Sequence, residues 1–321
     1  MSARTRRGLI ALAPVVLLLV LLAAFTLMDP RIATPVNLRN IVLQAVPVAL
    51  LALSAYVVLV TAGIDLSAGY AVGLAGVVMA GLLTGGSGLP AALLGGLAAA
   101  AAVGLVNGVL IGLAGLPPFV ATLGTMTIVQ GLTMFAAPQG LMVVDDPFLT
   151  WLGQGTIAGL PVPVLAVAAV SAAVWFLMRR TRFGLRTYAY GSDQAASRLT
   201  GVRTGPQMVA VYLLAGVLVF GSALLLVAQV PLVQPNMGGI PLLLDAIAAA
   251  VLGGTSIFGG RGSVGGVLVG VLIIGLVTNA LQILGVDPSA IDLFKGLIIV
   301  AALVLDVGLR TLHTRAVKAA A

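Results

Sequence analysis

The sequence predicts an all-α, polytopic membrane protein with about ten transmembrane helices. Of its 321 residues, 60% are hydrophobic and only 8% are charged, whereas soluble globular domains carry about 25% charged residues. A bilayer core of about 30 Å needs about 20 apolar residues in a helix, and Pro, Gly and charged breaks divide the chain into ten such segments. The predicted spans are residues 8–28, 38–60, 66–85, 90–112, 119–136, 162–178, 207–227, 241–258, 264–284 and 289–308.

The first span is predicted to remain in the mature protein. Arg4, Arg6 and Arg7 precede about twenty apolar residues, a run longer than the apolar region of a secretory signal. The run ends in Phe25-Thr-Leu-Met-Asp-Pro30, which lacks the small residues of a cleavage site. We therefore expect an uncleaved transmembrane helix, with the whole chain, residues 1–321, forming a single transmembrane domain.

The distribution of Lys and Arg predicts the orientation. With the N-terminus in the cytoplasm, only Arg31, Arg39 and Lys295 of the 16 basic residues lie outside, and the other 13 lie inside. Cytoplasmic loops of membrane proteins carry such an excess of basic residues. We therefore expect both termini to be cytoplasmic.

A basic segment between spans six and seven, residues 179–205, interrupts the otherwise apolar chain. It holds every Arg and Lys between residues 51 and 250, and these are Arg179, Arg180, Arg182, Arg186, Arg198 and Arg203. The orientation places this segment in the cytoplasm. These arginine side chains require either water or a partner around their charges. We therefore predict that a partner outside the membrane binds this segment.

Composition also excludes several functions. The chain has no Cys, which excludes disulfides, thiol catalysis and Cys-ligated metals. Its net charge of +7 comes without a soluble domain, and so indicates membrane topology and no nucleic-acid binding. The Gly-rich segment Gly253–Gly266 lacks the Lys of a phosphate-binding loop, and its glycines indicate a tight turn and close helix packing. We find no nucleophile with a neighbouring base.

The chain contains an internal repeat with an offset of 171 residues. The offset aligns Gly95, Leu97, Gly104, Leu105, Val106, Leu110, Leu113 and Pro117 with Gly266, Leu268, Gly275, Leu276, Val277, Leu281, Leu284 and Pro288. Five spans separate the two copies, and an odd number inverts the second. We predict an inverted repeat of residues 38–136 and 207–308. Many transporters use such repeats to build a site that opens to either membrane face.

Polar residues within the apolar segments are candidates for the translocation pathway. Asp65 and Ser67 precede the third span, where they either cap the helix or line a water-filled cavity. On a helical wheel, one face of the fifth span carries Thr122, Thr125, Gln130 and Thr133. These side chains either bond to their own or a neighbouring helix or offer hydrogen bonds to an uncharged solute.

Three further polar residues interrupt apolar spans. Asn107 and Asn279 occupy equivalent places in the two repeats, offset by one residue, and serve either helix packing or the pathway. Asp245, at the start of the eighth predicted span, is interpreted as a helix cap.

Four separated motifs resemble a known family, the ribose-type sugar permeases of bacterial ABC importers. They are Gly63-Ile-Asp-Leu-Ser-Ala-Gly69, Asn107–Ile111 with Pro117-Pro-Phe-Val-Ala-Thr-Leu-Gly-Thr125, Arg182-Phe-Gly184 through Gly201, and Gly253–Ser263. The likeness covers about residues 37–307. It implies a multi-pass protein of the bacterial cytoplasmic membrane that forms a homo- or heterodimer of permease subunits. The implied partners are a cytoplasmic ATPase with tandem nucleotide-binding domains and an extracytoplasmic sugar-binding protein; ATP and Mg²⁺ are used by the ATPase, and this chain binds no cofactor.

The resemblance implies that the basic segment contains a short coupling helix that contacts the ATPase. Its expected core is Ala189–Leu199, with Gly184 and Gly191 allowing turns and Gly201 at its end. Ala195 and Ala196 are expected to permit close contact, and Arg182, Arg186 and Arg198 to make polar contacts. Members of the family usually carry Gly-Arg where this chain has Gly184 and Leu185, with Arg186 next.

Two other classes of protein, secondary transporters and integral-membrane enzymes, fit the sequence less well. A secondary transporter needs an ion or proton site, and the absence of Glu with few membrane-embedded Asp argues against one. An integral-membrane enzyme needs a catalytic constellation, which the sequence does not offer. The resemblance therefore implies a non-enzymatic permease that moves an uncharged monosaccharide, a ribose-like pentose or a hexose, by alternating access.

Overall fold

The computed structural model of the protein describes residues 3–137, 140–297 and 300, and it is predominantly helical. Its α-helices are α1 (Ala3–Met28), α2 (Pro35–Leu59), α3 (Ala68–Thr84), α4 (Leu89–Gly112), α5 (Pro118–Ala136), α6 (Pro147–Gln154), α7 (Val162–Arg180), α8 (Arg182–Ser192), α9 (Gln194–Leu199), α10 (Thr204–Gln229), α11 (Gly239–Leu252) and α12 (Val264–Ile283). A short 3-10 helix, Pro30–Ala33, joins α1 to α2. Residues 288–297 are also helical.

Within the described residues a helix overlaps each of the first nine predicted spans, although α11 ends at Leu252 and not at residue 258, the predicted end of the eighth span. Six of the helices, α2, α4, α5, α7, α10 and α12, are long and apolar enough to cross a membrane. Three shorter apolar helices, residues 12–28 of α1, α3 and α11, match the first, third and eighth predicted spans. The tenth predicted span, residues 289–308, is helical up to residue 297, and its remainder lies outside the described residues apart from residue 300.

Local sequence explains where several helices begin. Thr34 caps α2 by accepting a hydrogen bond from the Asn37 amide, and Pro35 opens the helix. Ser263 caps α12 in the same way through the Gly266 amide. A Ser or Thr oxygen at this position satisfies an amide that has no partner within the helix, and proline is tolerated in the first turn.

The core is built around α2, which is the most buried of the six long spans and packs against α7, α10, α11 and α12. Pro47 interrupts the backbone ladder of this helix because proline has no N–H to donate to the carbonyl one turn earlier. That carbonyl, on Leu43, instead accepts a hydrogen bond of 2.9 Å from Nε2 of Gln229 on α10. The neighbouring helix therefore satisfies the backbone group that the proline leaves free.

A row of glycines lets α4 and α10 pack closely. Gly104, Gly108 and Gly112 lie one helical turn apart on α4 and face α10. A Cβ atom at Gly108 would lie 2.7 Å from the Val209 Cα atom, and one at Gly112 would lie 2.5 Å from the Gly205 carbonyl oxygen. Small residues at such positions allow backbone contact between membrane helices.

Helices α2 and α10 are joined by two hydrogen bonds with a symmetric pattern. Ser54 Oγ on α2 donates to the Ala215 carbonyl at 3.1 Å, and Ser222 Oγ on α10 donates to the Pro47 carbonyl at 2.8 Å. Position 222 lies 168 residues after position 54, and position 215 lies 168 residues after position 47. In the same sense, α10 packs against α3 and α4 while α2 packs against α11 and α12.

Two short antiparallel pairs of strands involve the segment between the fifth and sixth predicted spans, which the predicted orientation places on the outer side of the membrane. Strand β1 (Met142–Val143) pairs with β4 (Leu232–Val233), and β2 (Thr156–Ile157) pairs with β3 (Leu160–Pro161). Helix α6 lies between them and packs against α10 and α7. The described residues between α5 and α7 thus form a folded cap that packs against transmembrane helices.

Candidate functional site

The predicted coupling segment folds as two helices, α8 and α9, that meet at Asp193. The Asp193 backbone is extended, with φ −158° and ψ 107°, and its carboxylate accepts a hydrogen bond from the Ala196 amide. The expectation of one helical core over Ala189–Leu199 was therefore wrong. An Asp that caps the following helix must itself leave the helical conformation, so the chain turns within that range.

The roles predicted for two glycines are also corrected. Gly184 and Gly191 lie inside α8 and do not form turns. A Cβ atom at Gly184 would overlap the Met178 carbonyl oxygen, and one at Gly191 would overlap the Val60 carbonyl oxygen. Glycine is required at both positions because α8 packs directly onto backbone. Gly201, by contrast, does occupy a turn after α9, with φ +80°.

The outer surfaces of α8 and α9 form what we call the docking face. It comprises Arg182, Leu185, Arg186, Ala189, Ala195, Ala196, Arg198 and Leu199, all of which are exposed. Leu185 is 71% exposed and Leu199 is 90% exposed. The arginines and alanines were predicted from the sequence, but the two leucines were not. For Leu185 the available signal was its position between two small residues, Gly184 and Thr187, that lie on the buried side of α8. Cationic groups around exposed apolar side chains suit a protein partner.

A hydrogen bond connects the two helices of the docking face. Gln194 Nε2, at the start of α9, donates to the Tyr190 hydroxyl of α8 at 2.7 Å. Burial raises the pKa of the Tyr190 hydroxyl, although the Arg198 charge and the Gln194 hydrogen bond oppose this shift. The hydroxyl therefore remains protonated at neutral pH.

Five of the predicted pathway residues meet in one polar network between α3, α4 and α5. Oδ1 of Asp65 accepts hydrogen bonds from the Ser67 amide at 2.9 Å and from Ser67 Oγ at 2.6 Å. Asn107 Nδ2 donates to Ser67 Oγ at 2.8 Å, and Asn107 Oδ1 accepts from Thr125 Oγ1 at 2.7 Å. Thr122 Oγ1 donates to the Ile64 carbonyl at 3.0 Å. These bonds connect the segment before α3 to α4 and α5.

The network is enclosed by packing. Ser67, Asn107 and Thr122 are fully buried, and Thr125 is 6% exposed. Ser67 immediately precedes α3, but its side chain makes no capping hydrogen bond to the helix. Its own backbone amide donates a hydrogen bond to the Asp65 carboxylate. In this conformation the network connects helices, and a part in solute passage stays a prediction.

The remaining three candidates lie apart from the network. Thr133 is buried on α5 and donates to the Val129 carbonyl of its own helix at 2.7 Å. Gln130 lies one turn before it and is partly buried. Asn279 lies on α12, where its Oδ1 accepts a hydrogen bond of 2.8 Å from Nδ2 of Asn37 on α2. Asn107 and Asn279 thus hold different helix pairs together.

Replacing Thr125 by valine is expected to lower the stability of the protein. The change keeps the shape of the side chain but removes the donor to Asn107 Oδ1, which is buried, at a cost of about 1 kcal/mol. We expect a lower Tm in detergent. The matched control is Thr127→Val on the same helix, since Thr127 is exposed and bonds only the Gly124 carbonyl of α5. Equal Tm values for the two variants would contradict a stabilising role of the network.

An ion pair that the sequence analysis missed lies between α11 and the helical residues 288–297. Lys295 Nζ donates to Asp245 Oδ2 at 2.9 Å, and both side chains are largely buried, with 13% and 16% exposed. The interpretation of Asp245 as a cap was wrong, because α11 begins at Gly239 and Asp245 lies within it. A carboxylate inside an apolar helix requires a cationic partner. This requirement could have predicted the ion pair from the sequence.

The Gly-rich segment after α11 forms the tight turn that the sequence indicates. Gly254, Gly259 and Gly260 have φ values of +85°, +83° and +72°, which favour glycine. The Ser256 amide donates to the Arg261 carbonyl at 3.0 Å and closes the turn. Residues 256–262 reach the C-terminal end of α8, where a Cβ atom at Gly260 would lie 2.5 Å from Ser192 Oγ.

Comparison with known proteins identifies the family of the chain. Residues 37–303 match the family model described as the permease component of the branched-chain amino acid transport system. The ribose import permease RbsC of Bacillus subtilis (strain 168) is 36% identical over 304 residues, which cover 92% of this chain and 92% of that protein. The ribose import permease RbsC of Escherichia coli (strain K12) is 35% identical over 306 residues, with 94% and 95% covered.

A third relative is named for a different sugar. The galactose/methyl galactoside import permease MglC of Escherichia coli (strain K12) is 36% identical over 311 residues, which cover 91% of this chain and 92% of that protein. No solved structure matches the chain. The family match over most of the sequence and the near full-length relatives lead to one conclusion: the chain is a multi-pass inner-membrane protein that belongs to the ribose-type branch of the ABC transporter permeases.

Proposed function

We propose that this chain is the permease subunit of an ABC importer that carries an uncharged monosaccharide, a ribose-like pentose or a hexose, into the cytoplasm. Its relatives at 35–36% identity are import permeases for ribose and for galactose or methyl galactoside. The description of the family model names a different class of substrate, branched-chain amino acids. The sugar relatives match over 91% or more of this chain, and they favour a sugar as its substrate.

The docking face supports the proposal that a separate ATPase drives transport. Its arginines, alanines and two exposed leucines lie on the side that the positive-inside rule assigns to the cytoplasm. We propose that a cytoplasmic ATPase with tandem nucleotide-binding domains binds there. In this arrangement the partner uses ATP and Mg²⁺, while the permease has no cofactor and no catalytic site of its own.

The transport cycle is proposed to be alternating access built on an inverted repeat. The reciprocal hydrogen bonds between α2 and α10, with their common spacing of 168 residues, are what an approximate two-fold relation between the halves predicts. They support the repeat of residues 38–136 and 207–308. Ten spans with both termini in the cytoplasm complete this topology, and rocking of one repeat against the other would open the pathway to each face in turn.

Two further partners belong to the proposal. A second permease subunit, identical or homologous, would complete the translocation pathway. On the outer side, an extracytoplasmic sugar-binding protein would deliver the solute to the folded cap of α6 and the two strand pairs. Selectivity among sugars would then reside largely in that binding protein.

Replacing Leu199 by aspartate is expected to weaken ATPase binding by about tenfold or more. Leu199 is the more exposed of the two leucines of the docking face, and an apolar anchor of an interface typically contributes more than 1 kcal/mol. The measurement is co-purification of the ATPase from detergent, followed by ATP-dependent ribose uptake in proteoliposomes that also contain the binding protein.

The control for this variant is Leu160→Asp, which places the same change on an exposed leucine of the predicted outer side. It should retain ATPase binding. Uphill sugar uptake by the permease without an ATPase would refute the proposed function, and so would unchanged ATPase binding by the Leu199 variant together with unchanged uptake.

A further inference from the structure

Three separate parts of the chain meet beneath α8 at a pair of tyrosine hydroxyls. Tyr188 on α8 donates a hydrogen bond of 2.9 Å to the Gly262 carbonyl, two residues before α12 begins. The hydroxyls of Tyr188 and Tyr56 lie 2.5 Å apart. Tyr56 belongs to the last turn of α2 and is 1% exposed. One side chain of α8 therefore contacts both α2 and the segment that leads into α12.

The direction of these hydrogen bonds follows from the number of protons. Tyr188 has a single hydroxyl hydrogen, which it donates to the Gly262 carbonyl. The hydrogen between the two tyrosines must then come from Tyr56, and Tyr188 accepts it. The chain Tyr56 to Tyr188 to Gly262 is thus continuous, and the loss of the Tyr188 hydroxyl breaks both bonds at once.

Backbone contacts reinforce the same junction. The Gly260 amide donates to the Val60 carbonyl at 2.9 Å, which joins the segment after α2 to the segment before α12. Gly191 of α8 packs directly on this bond, since a Cβ atom there would lie 2.8 Å from the Gly260 nitrogen. Helix α8 therefore covers the point at which the ends of α2 and α12 are joined.

We propose that Tyr188 is a positioning residue that ties α8 to the ends of both α2 and α12, so that a displacement of α8 reaches both helices together. This inference rests on the proposed function, in which an ATPase moves α8. Helix α2 lies at the centre of the helix packing and contacts α12 directly. A displacement of α8 that is transmitted through the Tyr188 hydrogen bonds therefore moves the core helices of the permease. Without the tie, α8 can move with the ATPase while α2 and α12 remain in place.

Among the described residues, two further polar contacts of α8 involve α10 and α9 instead of α2 and α12. Gln207 Nε2 donates to Thr187 Oγ1 at 2.9 Å and to the Phe183 carbonyl at 3.1 Å, which anchors α8 to α10. The hydroxyl of Tyr190 accepts its hydrogen bond from Gln194 within the docking face. Tyr190 belongs to the contact that joins the two helices of the docking face, so the control of the same residue type is Tyr70 on α3, whose hydroxyl has no hydrogen bond among the described residues.

Replacing Tyr188 by phenylalanine is expected to uncouple ATP hydrolysis from transport. The ring is retained, so the docking face should keep its shape, and ATPase binding and hydrolysis should stay within about twofold of the wild type. The loss of two hydrogen bonds should lower the amount of sugar imported per ATP hydrolysed by about tenfold. Both quantities are measured in proteoliposomes with the ATPase, the binding protein and radiolabelled ribose, and the control Tyr70→Phe should leave their ratio unchanged.

A second variant covers the case in which Tyr188→Phe does not assemble with the ATPase. Tyr56→Phe removes one of the two hydrogen bonds from the α2 side and leaves α8 unaltered, so it should lower the transport ratio by a smaller factor. The double variant should be no worse than Tyr188→Phe. A wild-type ratio of sugar to ATP in both single variants would overturn the inference while the proposed function stands, whereas uphill uptake by the wild type without the ATPase would refute the proposed function itself.

Discussion

Replacing Asp245 by alanine is expected to lower the free energy of unfolding by about 3–5 kcal/mol. The change leaves the Lys295 ammonium group in an apolar environment with the exposed Asp292, 3.9 Å away, as its remaining acidic neighbour. Removal of one partner from a buried ion pair is strongly destabilising because the other charge stays uncompensated. The cost should appear as a large drop in Tm in detergent and as reduced insertion into the membrane.

Two control variants separate charge from packing at this pair. Asp292→Ala removes an acidic group that is 67% exposed, so it should change the Tm by little. The double variant Asp245→Leu, Lys295→Met replaces both charges by apolar side chains of similar size and should recover most of the lost stability. If Asp245→Ala behaved like Asp292→Ala, the ion pair would not be the buried contact described above.

Replacing Gly191 by alanine is expected to abolish most transport and to destabilise the protein by about 1–3 kcal/mol. The added methyl group would overlap the Val60 carbonyl oxygen, which is backbone and cannot rotate away. Helix α8 would have to move off the junction between the ends of α2 and α12. ATP-driven ribose uptake and the Tm of the purified permease measure the two effects.

The control for this change is Gly265→Ala, near the same end of the molecule. Gly265 lies in the first turn of α12, and a Cβ atom there meets open space. An alanine is therefore expected to leave both uptake and Tm close to the wild type, and the better helix propensity of alanine favours the variant slightly. Similar uptake by the Gly191 and Gly265 variants would contradict the close contact beneath α8.

Much of the helical framework is predictable from the sequence because the apolar runs are long. A run of about 20 apolar residues can satisfy its backbone in a membrane only as a helix, and the breaks at Pro117 and Gly285 end such runs cleanly. Within the described residues, the first nine predicted spans each have a helix at the expected place. The asymmetric distribution of arginine predicts an orientation on equally simple grounds.

The candidate site was predicted less completely. Asp65, Ser67 and Asn107 were recognised as polar residues in apolar surroundings, and such residues need partners in a membrane. Which partners they have depends on how α3, α4 and α5 approach one another. The same holds for Asn279. It forms a hydrogen bond with Asn37, whereas Asn107 bonds a different partner, Ser67.

The sequence alone therefore determined the helical class, the approximate positions of the spans and the basic segment that needs an aqueous partner, because hydropathy and charge act locally along the chain. The packing of the helices decided the rest: the burial of Asp245 against Lys295, the requirement for glycine at positions 184 and 191, and the meeting of Tyr56, Tyr188 and Gly262. These features join residues that are far apart along the chain, and only the approach of one backbone to another selects which of many polar or small residues meet.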